Sequence, residues 1–80
     1  MNKQSIINLK YNVKNDVKLL NKIIFEFGPK LLMIEKVAEG ERNIVVAGSI
    51  NEILNIINQI DEFHLQSTDF SVKPFTLKTA

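Results

Sequence analysis

The chain contains no cysteine, and this absence removes three classes of chemistry. Disulfide bonds, thiolate metal sites and a cysteine nucleophile all need a thiol, and a chain without one is compatible with a reducing cytosol. The sequence also has no run of about 18 apolar residues and no signal-like apolar stretch near its start. We therefore expect a cytoplasmic protein without a membrane span.

Net charge and histidine are scarce as well. The formal net charge is +1 at pH 7, which is too small to predict a nucleic acid or an anionic membrane as the partner. His64 is the only histidine, and no second histidine, cysteine or acidic cluster stands near it at the spacing of metal ligands. We expect His64 to be a loop residue, and we expect no metal site, no cofactor and no catalytic residues.

The sequence contains enough apolar residues for one small hydrophobic core. Apolar residues make up 45% of the 80 residues, which predicts a single folded domain over 1–80. A chain of this size buries only about 60–65% of its unfolded surface, so its stability is modest. Association with a second copy, as a homodimer or homotetramer, would add to it.

The first half of the chain predicts a strand, a helix and a second strand. Apolar and polar residues alternate from Ser5 to Val13, as in a half-buried strand. Asn15 or Asp16 is the expected cap of the helix that follows, and Gly28 and Pro29 end it. The apolar stripe predicted for this helix comprises Val17, Leu20, Ile24 and Phe27, widened by Leu19 and Ile23. In the next strand we expect Leu32 and Ile34 on one side and Leu31, Met33 and Val37 on the other.

The second half repeats the pattern after a hairpin. The polar turn "AEGER" at 38–42 leads into "NIVVA", which is apolar on both faces and therefore predicts an interior strand. Ser49 and Glu52 fit a capping box at the start of a second helix, whose predicted buried residues are Ile50, Ile53, Leu54, Ile57 and Ile60. A last strand is predicted from Thr68 to Lys73, and residues 74–80 form an extended tail.

The order of these elements predicts the fold class. Strand, helix, strand, strand, helix, strand is the split βαβ pattern, and right-handed crossovers place both helices on one side of the sheet. The prediction is an α+β, ferredoxin-like βαββαβ domain with a four-stranded antiparallel sheet and two helices on one face.

Two helix starts are the candidate positions for a small ligand. Asn12, Asn15 and Asp16 surround the start of the first helix, and Gly48 and Ser49 precede the second. Free backbone N–H groups there attract anions or carboxylates. A helix cap with no ligand is the alternative interpretation of both positions, and it stays open.

Three lysines at intervals of four residues, Lys14, Lys18 and Lys22, form a basic strip on the first helix. Such a strip is the feature that would contact RNA or DNA. Ferredoxin-like domains that bind RNA stack bases on aromatic residues of the open sheet face. The residues predicted to point outward there are Asn8, Lys10, Val45, Ala47, Ser71 and Lys73, none of them aromatic. A nucleic-acid partner is therefore the less favoured alternative.

Together with the order of elements, "IVVAGSINEILNIINQIDEF" leading into "FSVKPF" resembles the ACT-like regulatory domains. Among them the chain is most similar to the C-terminal domain of nickel-responsive ribbon-helix-helix repressors and to stand-alone iron-only hydrogenase system regulators. The resemblance implies a non-enzymatic regulatory domain, in some relatives a transcription regulator, that forms dimers or tetramers. It also implies a small effector, such as an amino acid, at the loop after strand one.

This chain departs from those families at two points. The nickel repressors bind their metal through several histidines and a cysteine, so nickel binding is not implied for a chain with His64 alone. The ACT-like domains that bind amino acids usually have a glycine in the loop after strand one, and "NVKND" has none. An effector site at Asn12, Asn15 and Asp16 therefore follows from position only.

Overall fold

A computed structural model of the protein describes residues 3–61 and 67–76. Its elements are β1 (Gln4–Tyr11), α1 (Asp16–Phe27), β2 (Leu31–Ala38), β3 (Glu41–Ala47), α2 (Ile50–Asn58) and β4 (Ser67–Pro74), and two 3₁₀ turns, Val13–Asn15 and Gly28–Lys30, flank α1. This order confirms the predicted βαββαβ arrangement. His64 and the tail residues 77–80 lie outside the described residues. Within those residues no helix is long and apolar enough to cross a membrane.

The four strands form one antiparallel sheet in the order β2-β3-β1-β4. Strand β3 lies between β2 and β1, and its residues Ile44, Val45 and Val46 are all buried. The interior strand predicted from its apolar composition is therefore confirmed. Strands β2 and β4 are the two outer strands of the sheet.

Both helices cover the same face of this sheet. Side chains of β1 that alternate to one side belong to the same buried cluster as side chains of α1 and α2. Among them are Ile7 and Leu9 from β1, Leu19 and Ile23 from α1, and Ile53 and Ile57 from α2. We call this side of the sheet the helix face and the other side the open face. The predicted ferredoxin-like fold, with two helices on one face of a four-stranded sheet, is what the structure shows.

Helix α1 is rotated from the orientation that its sequence predicts. The buried residues are Leu19, Ile23 and Phe27, spaced four residues apart. Val17 and Ile24, which were predicted in the buried stripe, are 71% and 49% exposed. The prediction was therefore wrong for Val17 and Ile24, whereas it was correct for Phe27 and for the two widening residues. Apolar residues lie on several sides of this helix, so periodicity alone defines more than one apolar stripe.

Strand β2 departs from simple alternation as well. Its pairing with β3 shifts register between Leu31 and Met33, and again between Lys36 and Ala38. The first shift inserts Leu32 as an extra residue, so Leu31 and Ile34 both pack against the core. The expectation that Leu32 and Ile34 share a side and that Leu31 and Met33 share the other was therefore wrong.

The turn between β2 and β3 requires its glycine. Gly40 has a φ of +75°, and a Cβ on it would lie 2.7 Å from the backbone oxygen of Tyr11. The Gly40 carbonyl also accepts from the Tyr11 N–H at 2.8 Å, which ties the hairpin to the end of β1. The Tyr11 backbone oxygen therefore leaves no room for a Cβ on residue 40.

We expect Gly40→Ala to lower the free energy of unfolding by about 1–3 kcal/mol, because the left-handed conformation and the close carbonyl both oppose a Cβ. Gly28→Ala is a matched control, since Gly28 also has a positive φ, of +53°, but a Cβ there meets nothing within 4 Å. Urea titration of both variants measures the difference. Equal losses would contradict the role of the Tyr11 carbonyl.

Candidate functional site

The candidate ligand residues lie at opposite ends of the sheet. Asn12, Asn15 and Asp16 follow the C-terminal end of β1, whereas Gly48 and Ser49 follow β3, whose end pairs with the start of β1 through Gln4 and Ala47. A strand of eight residues separates the two ends by about 23 Å. The structure therefore does not bring the five residues together, and one small ligand cannot contact both groups.

Asp16 lies in a cluster with Tyr11 and Arg42. The Tyr11 hydroxyl donates to Asp16 Oδ1 at 2.5 Å, and Arg42 Nε donates to the Tyr11 hydroxyl at 2.8 Å. Arg42 also donates from Nε to Asp16 Oδ1 and from Nη2 to Asp16 Oδ2, both at 3.2 Å. Both carboxylate oxygens therefore have partners in the protein, and the two charges compensate each other.

The cluster shifts the pKa values of its members. The hydrogen bonds from Tyr11 and then from Arg42 lower the pKa of the Asp16 carboxyl below its usual value. Burial, followed by the bond to Asp16, raises the pKa of the Tyr11 hydroxyl, and the bond to Asp16 raises that of the Arg42 guanidinium. The charged forms of Asp16 and Arg42 are thus stabilised together, so this arrangement favours a fixed ion pair and opposes proton transfer.

Three elements meet at this cluster. Tyr11 ends β1, Asp16 begins α1, and Arg42 lies near the start of β3, opposite Leu9 of β1. The cluster therefore fastens the first helix to the sheet. Sequence reasoning missed Tyr11 and Arg42 as partners of Asp16, although the adjacency of β1 and β3 in the predicted fold places Arg42 close to the end of β1.

The side chain of Asn12 acts as a cap for the 3₁₀ turn before α1. Its Oδ1 accepts from the Lys14 N–H at 3.0 Å and so caps the 3₁₀ turn that leads into α1. The expected cap was Asn15 or Asp16, but the Asp16 carboxylate is turned to Arg42 and Tyr11. Asn15 lies within the 3₁₀ turn itself. The capping interpretation of this loop thus holds for Asn12, and effector binding there stays a prediction.

The Gly48–Ser49 turn also forms a helix cap. Ser49 Oγ accepts from the Glu52 N–H at 3.3 Å, which is the serine's hydrogen bond in the predicted capping box. The Glu52 carboxylate lies 3.4 Å from the same hydroxyl and 3.8 Å from Lys30 Nζ. A carboxylate of the protein therefore already occupies the start of α2, which disfavours an external anion.

The turn is fixed to β1 by its backbone. The Gly48 carbonyl accepts from the buried Ser5 hydroxyl, and its N–H donates to the Lys3 carbonyl, both at 2.8 Å. These bonds give the turn a structural role at the edge of the core, whether or not a ligand binds there.

The lysine strip includes an aromatic residue that the prediction did not count. Lys18 and Lys22 line a shallow depression on α1 together with Asn21 and Phe25, and Phe25 is 78% exposed. Lys22 Nζ lies 5.8 Å from the Phe25 ring centre and forms an ion pair with Glu26 at 3.2 Å. Glu26 reduces the positive charge of this surface, and nucleic-acid binding through Lys14, Lys18 and Lys22 stays a prediction.

The open face of the sheet divides into an apolar and a polar half. Met33, Val45 and Ile6 lie opposite one another across β2, β3 and β1. In the polar half, Asn8 Nδ2 donates to Asn43 Oδ1 and to Glu41 Oε2, both at 2.9 Å. The predicted outward position of Val45 is confirmed by its pairing with Ile6, although its strand neighbours leave it only 3% exposed.

A second exposed apolar surface, which shares Met33 with the open face, lies along the outer strand β2. Its residues Leu32, Met33 and Val37 are between 46% and 49% exposed. We call these three residues the β2 edge. The two bulges of β2 were not predicted from the sequence. They take Leu32 and Val37 out of regular alternation.

Two kinds of polar site are absent from the described residues. Within 3–61 and 67–76, no group of three or more histidine, cysteine, aspartate or glutamate side chains could hold a metal ion. In the same part of the chain, every buried polar side-chain atom has a hydrogen-bond partner.

No model of a known protein family matches the sequence, and a search of the curated proteins finds no match either. The similarity to ACT-like domains therefore remains a proposal drawn from the pattern of the sequence.

Proposed function

We propose that this chain is a non-enzymatic, cytoplasmic regulatory domain that acts by associating with a second copy of itself. The observation that carries the proposal is the apolar β2 edge on an outer strand. Unpaired N–H and C=O groups and exposed apolar side chains on such a strand favour pairing with another chain. Folded proteins usually protect an outer strand with charges or bulges, and β2 has Glu35, Lys36 and two bulges. The apolar side chains that stay exposed beside them are what suggests a partner.

The other outer strand supports this interpretation by contrast. In β4, Asp69, Ser71 and Lys73 are exposed, and Pro74 ends the strand. Charges and a proline are the usual protection of an outer strand against pairing. The stretch "LLMI" of β2 carries no charge before Glu35. Both strands carry two charges, so the two edges differ in the uncharged apolar stretch of β2 and in Pro74 of β4.

Helix α1 adds apolar surface near the same edge. At about 100° per residue, one side of the helix lies roughly 60–120° from its buried stripe. That side, which we call the α1 flank, comprises Val17, Leu20 and Ile24. Right-handed crossovers place α1 on the β2 side of the sheet and turn this flank toward its outer edge. The flank and the β2 edge together form one candidate interface.

Regulation and an effector belong to the proposal through the resemblance to ACT-like domains. An amino acid or similar effector at the Asn12–Asp16 loop stays a prediction. Self-association is the part that the β2 edge supports.

Light scattering tests self-association directly. We expect the wild-type chain at micromolar concentration to have about twice its monomer mass of 9.1 kDa. Met33→Glu should weaken association by at least about 10-fold, because each copy would bring a further carboxylate to an edge that already carries Glu35. Ser71→Glu is the matched control on the other edge, where a further carboxylate should leave the mass unchanged.

Circular dichroism of both variants checks that they remain folded, which we expect because Met33 and Ser71 are exposed. A wild-type chain that is monomeric at 100 µM would contradict the proposed function. A dimer that resists Met33→Glu would exclude the β2 edge as its interface.

A further inference from the structure

One face of α1 carries two lysines, an amide and an aromatic ring that neither the core nor the proposed dimer uses. We call this surface the outer face of α1, and its residues are Lys18, Asn21, Lys22 and Phe25. The last three follow the first by three, four and seven residues, the spacing that places side chains on one side of a helix. At about 100° per residue, Lys18, Asn21 and Phe25 lie roughly 140–160° from the buried Ile23. The outer face therefore points away from the sheet.

The ring of Phe25 is displayed to solvent. Phe25 is 78% exposed, the largest value for a large hydrophobic side chain in the part of the chain that the structure describes. The core takes Leu19, Ile23 and Phe27 from this helix and does not use Phe25. An exposed aromatic ring is suited to stacking against another flat ring. Phe25 can therefore act as a platform for a planar group.

The shape of the outer face suits one part of a larger ligand. Its depression is shallow and has a volume of about 290 Å³, at the lower limit for pockets that enclose a whole small ligand. A shallow depression leaves the remainder of the ligand free to continue along the surface. The Asn21 amide has both donors and an acceptor, so it can bond to the polar edge of a base that lies on Phe25.

The lysines give this surface a charge that complements phosphates. Lys18 and Lys22 are about 6 Å apart along the helix axis, which is comparable with the spacing of consecutive phosphates in an extended strand. Lys14 precedes them in the turn before α1. Glu26 pairs with Lys22 at 3.2 Å, so a phosphate at Lys22 competes with this carboxylate. Three ammonium groups and one carboxylate leave these four side chains with a net charge of +2.

Single-stranded nucleic acid is the class of ligand that combines these features. Proteins bind single strands with a positively charged surface along the backbone and with aromatic side chains on which bases stack. A duplex covers the faces of its bases, so the exposed ring of Phe25 favours a single strand. An anionic membrane would instead take a continuous apolar stripe, and the outer face has Asn21 and two lysines around its one ring.

We infer that the outer face of α1 binds single-stranded DNA or RNA, with one base stacked on Phe25 and the adjoining phosphates at Lys18 and Lys22. The small number of charges predicts weak binding that is independent of sequence and sensitive to salt. The inference does not rest on self-association, because the outer face shares no residue with the β2 edge or the α1 flank.

Fluorescence anisotropy of a labelled thymidine oligonucleotide of about 12 nucleotides, at about 20 mM salt, tests the binding. We expect Phe25→Leu, which keeps an apolar side chain but removes the ring, to weaken binding by at least about 5-fold. Val13→Ala is the matched control, because Val13 is also an exposed apolar residue near the lysines, at 51%, but has no ring. Its affinity should equal that of the wild type.

Two charge variants should change the binding in opposite directions. Glu26→Gln removes the carboxylate that competes for Lys22 and should strengthen binding by about 2–5-fold. Lys18→Gln should weaken binding and reduce the slope of log affinity against log salt by about 0.7, the value for one phosphate contact on a single strand. Lys73→Gln, at an exposed lysine of β4, is the control and should change neither quantity.

The results that would overturn the inference differ from those that concern self-association. Absence of oligonucleotide binding at low salt, undiminished binding by Phe25→Leu, or tighter binding of a duplex of the same length would each overturn it. Vesicles of anionic phospholipid that bind the wild type while the oligonucleotide does not would assign the outer face to a membrane instead. Circular dichroism checks that the variants remain folded, as expected for changes at exposed positions.

Discussion

Ile23→Ala is expected to lower the free energy of unfolding by about 2–5 kcal/mol, whereas Ile24→Ala should lower it by less than about 1 kcal/mol. The two residues are neighbours of the same type on the same helix. Ile23 is fully buried and Ile24 is 49% exposed, so only the first change leaves a cavity in the core. Loss of about 2–5 kcal/mol is a large part of the stability of a chain of this size.

Urea titration of both variants measures the difference, at a concentration low enough to keep the chain monomeric. This condition matters because Ile24 belongs to the proposed interface, and association stabilises the folded state. Ile24→Ala should instead weaken the dimer in light scattering. Equal destabilisation of the two monomers would contradict the orientation of α1.

Asp16→Asn is expected to cost about 1–3 kcal/mol at pH 7 and progressively less as the pH falls. The change removes the ion pair with Arg42, whose side chain is only 17% exposed, and a favourable negative charge at the start of α1. Because the folded state lowers the pKa of Asp16, its contribution is complete above the ordinary pKa, near 4. It is lost as the pH falls further, through the pKa of the folded state.

Urea titrations at several values from pH 7 to pH 2 test this dependence. The unfolding free energies of the wild type and Asp16→Asn should converge toward pH 2, because protonated Asp16 no longer attracts Arg42. Asp61→Asn removes an exposed carboxylate and serves as the control, with an expected change of less than about 0.5 kcal/mol at pH 7. A constant difference between wild type and Asp16→Asn across the range would show that the ionised carboxylate is not the cause.

The order of elements could be predicted because its signals are local. Gly28 and Pro29 mark the end of α1, Ser49 marks the start of α2, and the apolar stretch of β3 indicates an interior strand. The face that α1 buries could not be predicted in the same way. Val17 and Ile24 have suitable helical spacing, but contact with the sheet selects Leu19, Ile23 and Phe27, which is a tertiary effect.

The Tyr11–Asp16–Arg42 cluster was missed for a related reason. Arg42 is 26 residues from Asp16 along the chain, and no local pattern connects them. The pairing of β1 with β3 brings them together. The bulges of β2 likewise depend on its register with β3, so simple alternation assigned Leu31 and Leu32 to the wrong sides.

The difference between the two outer strands bears on whether copies of the chain can polymerise into a fibre. A fibre formed by strand addition needs two receptive edges on every molecule, so that each newcomer offers a place for the next. Here β4 carries Asp69, Lys73 and Pro74, and in the proposed dimer β2 is already paired with its one neighbour. Strand addition to the proposed dimer would then stop after one step, without polymerisation.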